Sequence, residues 1–151
     1  MSETEIETCR SFLSRISILT EARIAADLKG VSAMHDVTEG GLASALAETS
    51  IAGGHKLEID MDRIPVYPET EKICRLMDID PMGLIGSGSL LICCKQNVSD
   101  QLENLIRDAG IKVTCIGKVL EAGHGIKAMQ QNCQVAWPEF KADEITRLFQ
   151  R

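Results

Sequence analysis

VSAMHDVTEGGLASALAE, residues 31–48, passes from one periodicity to another within a single stretch of chain. Val31 to Met34 reads as a buried strand that ends at His35-Asp36. From Thr38 to about Ile51, Leu42, Ala45, Leu46 and Thr49 recur at helical spacing. Gly53-Gly54 stop that helix. A strand running straight into a helix is the unit of layered α/β folds, and the rest of the chain repeats the alternation.

Upstream, Ser2 with Glu5 forms the signature of a capping box opening a first helix, and residues 19–28 (LTEARIAADL) read as a second. Downstream, HKLEIDM (55–61) alternates, with Leu57, Ile59 and Met61 on one face, which predicts a strand with one wet side at or near a sheet edge. Pro68 at a helix N1 position, followed by Glu69 and Glu71, opens a helix that turns Ile73, Leu76 and Met77 inward and closes at Pro81. GSGSLLICC (86–94) gives a glycine-rich entry to a strand apolar on both faces, which places Leu90 to Cys93 centrally in the sheet. Asn97 caps a helix with the stripe Val98, Leu102, Leu105, Ile106 and Ala109. Residues 111–119 and 126–130 read as strands, and Asp143 to Gln150 as a final helix with Ile145, Leu148 and Phe149 on one face. The expected fold class is α+β, an α/β layered domain with a mixed β-sheet and helices packed on it.

The length is that of one domain: 151 residues, 44% hydrophobic and 25% charged. A chain of this size buries roughly 68–70% of its unfolded surface, enough to fold without a metal or disulfide. No apolar run reaches a membrane span, and MSETEIETCR has neither the cationic start nor the apolar core of a signal peptide. With 22 acidic against 16 basic side chains, the net charge of -6 repels phosphate backbones, so no nucleic-acid partner and no membrane partner is expected. Six cysteines, at 9, 74, 93, 94, 115 and 133, fall largely in apolar settings and without zinc spacing. They read as free thiols in a reducing, cytoplasmic setting.

One segment concentrates the residues of chemistry, Met34 to Leu42, at a strand end entering a helix. A helix N-terminus offers unpaired N–H groups and the positive end of a macrodipole, and paired glycines admit a ligand without Cβ obstruction. On this reading Asp36 is the catalytic group, and His35, Thr38, Gly40 and Gly41 bind phosphate or substrate, with no metal ligand set. The alternative is architectural: Thr38 an N-cap, Asp36 closing an Asx-turn, the glycines permitting close packing. Gly86-Ser87-Gly88-Ser89 precedes a strand and lacks a third glycine, so it is no dinucleotide fingerprint, and Gly117-Lys118 is no Walker loop. His55 and His124, beside glycines, read as solvated, and Trp137 as packing.

MHDVTEGGLASALAE, then LEID, IPVYPETEKICRLMDIDPMGLIGSGSLLI, IGKV and DEITRLF together resemble the C-terminal domain of the AIR-synthase-related superfamily, from about Ile18 to Phe149. The likeness is closest to HypE-type hydrogenase maturation proteins, through the D-x-T-x-G-G-L turn, the IP-x-x-x-E-x helix and the DP-x-x-L-x-x-x-G-x-LL segment. The resemblance implies a fold like the C-terminal domain of PurM. It also implies the substrate side of an ATP-dependent enzyme that dehydrates a carbamoylated cysteine to a cyanide precursor by phosphorylating an amide oxygen. ATP and Mg2+ belong to the full-length protein and none to this domain. The implied partners are an N-terminal ATP-binding domain, a second copy in a homodimer, and maturation proteins. Two departures stand out: the acidic nucleotide motif is absent from residues 1–151, and the sequence ends ITRLFQR where HypE-type chains carry a Pro-Arg-Ile-Cys-like tail. Single-domain organisation is therefore expected, with the isolated domain inactive. Another superfamily enzyme, of kinase, selenophosphate or ribonucleotide-synthetase type, or a non-catalytic binding module, remains the alternative.

Overall fold

The computed structural model describes residues 1–149, and among them the chain forms two sheets with helices between and around them. Helix α1 (Glu3–Ser11) opens with the Ser2–Glu5 capping box, each partner bonding the other's backbone N–H. Helix α2 (Leu19–Asp27) turns back into β1 (Val31–Asp36), which leads through a glycine turn to α3 (Gly41–Gly53). β2 (His55–Asp60), α4 (Pro68–Met77), β3 (Leu90–Cys94) and α5 (Gln96–Asp108) follow, then β4 (Gly117–Ala122), β5 (Ile126–Gln130) and β6 (Cys133–Val135). No helix among the described residues is long and apolar enough to cross a membrane.

The strand pairing corrects two expectations. β3 is not central: it pairs with β1 alone, antiparallel, in a two-stranded sheet. β2 is not at an edge: it lies between β4, antiparallel, and β5, parallel, in a four-stranded sheet ordered β4-β2-β5-β6. The physical reason is that apolarity reports covered faces, while sheet position depends on hydrogen-bonded edges. Ile92 and Cys94 of β3 pack toward the cluster of Ala25, Leu102 and Ile106 on α2 and α5, and Leu91 packs toward Leu46 of α3. Both faces are thus apolar in a strand with one partner.

Helix α3 holds the two sheets together. Leu46 packs with Leu57 and Ile59 of β2, and Ser50, 1% exposed, donates through Oγ to the His55 carbonyl at 2.7 Å and accepts the Gly125 N–H at 2.9 Å. The α3 start differs from the sequence reading, which placed it at Thr38. Gly40 and Gly41 have φ of 80° and 66°, and two left-handed residues in succession cannot carry a right-handed turn back to Thr38, so Gly40 is the N-cap and Gly41 the first residue of the hydrogen-bonded helix, whose right-handed backbone follows it.

Other boundaries shift for local reasons. Lys95 is the N-cap of α5 instead of Asn97, and Leu105 of its stripe is exposed. In α4 the buried residue is Cys74, while Leu76 and Met77 point outward. Residues 111–116 are irregular, although the Ile116 carbonyl still accepts the Asp60 N–H at 2.8 Å. The final helix is a 3-10 segment, Glu144–Phe149, with Phe149 82% exposed, and Gln150 lies outside the described residues. All six cysteines are free thiols; only Cys74 is buried, and Cys133 is exposed. Burial pushes the thiols of Cys74, Cys93 and Cys94 up, which keeps them protonated and poorly nucleophilic.

Candidate functional site

The β1–α3 turn separates the predicted site residues into an outer and an inner group. Asp36 and Thr38 are exposed at the end of the strand, whereas Gly40 and Gly41 are buried beneath them. His35 stands between: its Nε2 lies 2.9 Å from Glu48 Oε2 on α3, and its Nδ1 lies 2.6 Å from the Asp36 carbonyl oxygen. Its ring therefore ties the strand end to the helix that follows. Thr38 is not the N-cap of α3; that position is Gly40, with no side-chain cap, and the Thr38 carbonyl accepts the Gly41 N–H at 3.0 Å.

The inner group is committed to the fold. The Gly40 N–H donates to Asp143 Oδ2 at 2.9 Å, a bond spanning 103 residues of sequence, and Asp143 is 3% exposed. Its other oxygen, Oδ1, accepts the Ile145 N–H at 2.9 Å. An internal carboxylate thus takes a helix-terminus donor of the kind that an anion would seek. A Cβ on Gly41 would stand 2.5 Å from the Met82 carbonyl oxygen and 2.7 Å from that of Leu84, so this glycine admits the chain's own backbone. Glu144, 7% exposed, accepts the Asp80 N–H at 2.9 Å and Arg147 Nη1 at 2.7 Å, and a Cβ on Gly83 would meet Phe140 at 2.6 Å. The segment 140–147 straps the glycine turn to the loop at 80–84.

Sequence reasoning missed Asp143 and Glu144, which read as ordinary acids in the first turn of a last helix. No spacing rule links a carboxylate to a glycine 103 residues away. Cys74, Asp80 and Arg147 line an open cavity of about 490 Å³, in which Arg75 bonds Glu71 and Arg147 bonds Glu144. His55 hydrogen-bonds the Gly53 carbonyl at 2.8 Å, and Trp137 packs against the α3–β2 cluster. Among the described residues no three His, Cys, Asp or Glu side chains gather to hold a metal ion.

The fold and the turn define an α+β domain in which Asp36 and Thr38 are exposed at one strand end. The chain belongs to the family of AIR synthase related proteins, C-terminal domain, whose model matches residues 11–129. It is 32% identical over 111 residues to the carbamoyl dehydratase HypE of Cupriavidus necator, an alignment covering 72% of this chain and 32% of that protein. It superposes on E. coli HypE with a TM-score of 0.77 at 25% identity, covering 87% of this chain and 42% of the other. A HypE structure in complex with ATP shares the fold, with a TM-score of 0.71 at 16% identity over 84% of this chain and 47% of that one. The chain spans about a third of the curated relative's length. It is a HypE-like domain.

Proposed function

We propose that the chain is the substrate-side domain of an ATP-dependent, HypE-like hydrogenase maturation enzyme, which dehydrates a carbamoylated cysteine to the cyanide precursor. The observation that carries this reading is the displayed D-x-T-x-G-G-L turn, Asp36 to Leu42, in a chain 32% identical to a carbamoyl dehydratase over 72% of its length. The exposed Asp36 carboxylate accepts hydrogen bonds and the exposed Thr38 hydroxyl can donate one, so the pair orients a polar group presented to this strand end. His35 fixes the strand end against Glu48. Gly40 and Gly41 let the turn fold tightly over the loop at 80–84.

This chain's own residues do not fit a magnesium–nucleotide site. No metal-holding cluster occurs among the described residues, and the Gly40 N–H is already bonded to Asp143. In this proposal ATP and Mg2+ are held by a separate N-terminal ATP-binding domain, with a homodimer and maturation proteins as partners. The test is steady-state ATP turnover by the complete gene product, wild type and Asp36→Asn, with thermal unfolding as the stability control. The expected result is a loss of about 10²-fold in turnover at unchanged stability, and no turnover by residues 1–151 alone. An Asp36→Asn enzyme as fast as wild type would overturn the site. Full-rate hydrolysis by the 151-residue chain would overturn the division of labour.

A further inference from the structure

An open sheet edge offers a row of unpaired N–H and C=O groups to any extended chain, and natural sheets blunt such edges with charge, short length or cover. β4 carries Lys118 and Glu121, whose charged ends pair with Glu58 and Lys56 of β2. β6 is three residues long, and every residue of β3 is half-buried. β1 is the exception. It is six residues long, VSAMHD, has no lysine or proline, and pairs with β3 alone among the described residues. Its one register shift, between Val31 and Ala33, lies at its start and leaves Met34 to Asp36 regular. Ser32, Ala33 and Met34 are exposed in succession, so side chains on both faces of the strand reach solvent beside the unpaired edge.

The ladder fixes which groups face outward. Val37, just after β1, donates its N–H to the Ser89 carbonyl at 3.1 Å, and antiparallel alternation then directs Ala33 and His35 toward β3 and turns Met34 and Asp36 away from it. The Asp36 carbonyl oxygen is held by His35 Nδ1 at 2.6 Å. Left facing outward are the N–H and C=O of Met34, 42% exposed, and the Asp36 N–H about 7 Å further along. One short extended strand fills this pattern: its backbone exchanges bonds with Met34 and places one further carbonyl on the Asp36 N–H. The same edge ends at the exposed Asp36 and Thr38, the pair that orients a polar group in the proposed function.

We propose that the outer edge of β1 binds the substrate as an extended peptide, added to the sheet as a strand with its modified cysteine at the Asp36 end. The proposal rests on the reading that Asp36 and Thr38 face substrate, and it makes that substrate a peptide segment instead of a free small molecule. In this mode of recognition main-chain bonds supply the affinity and alternate side-chain positions the choice of sequence.

The probe is the blocked hexapeptide acetyl-Thr-Val-Thr-Val-Thr-Cys-amide with its cysteine S-carbamoylated, titrated into the 151-residue chain while backbone amide signals are followed by NMR. Saturable shifts are expected at Met34 and Asp36, larger than those at Leu91 and Cys93 on the paired side. Met34→Pro removes the outward N–H without touching the bonds to β3, so binding should weaken at least tenfold while Leu91 and Cys93 keep their slow exchange. Should that variant not fold, the same peptide N-methylated at every amide serves in its place, and it should not saturate the wild-type chain. No saturation with the parent peptide, equal binding of the N-methylated peptide, or unchanged binding in folded Met34→Pro would overturn the proposal. So would a chain that pairs with a second copy through β1, seen in sedimentation as a dimer that Met34→Pro dissociates, and leaves the peptide unbound. Normal turnover in Asp36→Asn with peptide binding intact would sink the functional reading alone, and loss of turnover in Asp36→Asn without peptide binding would sink only the role of the edge.

Discussion

The two sheets of this domain reverse the impression their sequences give. β3, LLICC, is the most continuously apolar strand and has one hydrogen-bonded neighbour; β2, HKLEID, alternates with charged residues and has two. The difference lies in what covers each face. β3 is enclosed by α2 and α5 on one side and approached by α3 on the other. β2 buries Leu57 and Ile59 beneath α3 and turns Glu58 outward, where Lys118 of β4 and Lys127 of β5 reach its carboxylate at 2.8 and 2.6 Å. Side-chain pattern and ladder position are independent quantities. The candidate site grows from the thinner sheet, whose strand end is free to turn outward.

The strongest test of the contrast lies at the junction between the β1 end and α3. Gly41→Val places a branched side chain at φ 66° and against two backbone carbonyls. Left-handed strain of about 1–2 kcal/mol and overpacking of about 1–3 kcal/mol predict a loss of roughly 2–5 kcal/mol. Thermal or denaturant unfolding would show it, and a variant as stable as wild type would mean that the turn is not packed as described.

Asp143→Leu comes next. It leaves the buried Gly40 N–H and the part-buried Ile145 N–H without an acceptor, for an expected cost of about 1–3 kcal/mol, while Asp143→Asn, which keeps an acceptor, should lose less. Equal losses in the two variants would show that the hydrogen bonds are not what the strap contributes.

Hydrogen exchange sharpens the comparison directly. β2 is bonded on both sides, with the Leu57 N–H on the Gly125 carbonyl and the Asp60 N–H on that of Ile116, so its amides should exchange uniformly slowly. In β3, antiparallel alternation points Leu91 and Cys93 toward β1 and leaves Leu90 and Ile92 facing the open edge. Leu90 and Ile92 should therefore exchange faster than Leu91 and Cys93, on the order of tenfold or more. Uniform protection along β3 would mean that the strand has a second partner.

The smallest effect is expected on the outer face of the four-stranded sheet. Lys118 first, then Lys127, hold the Glu58 carboxyl down from 4.5 to about 2. A carboxyl lowered in the folded state adds stability above its ordinary range, and that contribution is lost as pH falls from about 4.5 through 2. Glu58→Gln should flatten this part of the pH–stability profile slightly, and the difference should vanish in about 1 M salt. A difference unaffected by salt would point to packing instead of charge.

Local structure was largely legible in the sequence. The Ser2–Glu5 capping box, Pro68 opening α4 and the buried pair Leu57 and Ile59 follow from contacts within a few residues or from a period that one covered face imposes; β1 forms where VSAM was read as a strand, but Ser32, Ala33 and Met34 are exposed instead of buried, because only β3 and one side of the layer cover it. The resemblance carried by MHDVTEGGLASALAE reached the family for the same reason, because a tight turn needs particular residues at particular neighbouring positions. Tertiary structure alone decided what covers what: that β2 and not β3 is flanked on both sides, that Gly41 faces the Met82 and Leu84 carbonyls, that Asp143 takes the Gly40 N–H, and that the oxygen of Glu21 is left without a partner. These are pairings across tens to a hundred residues, fixed by how the layers close on one another, and neither periodicity nor spacing along the chain encodes which groups that closure brings together.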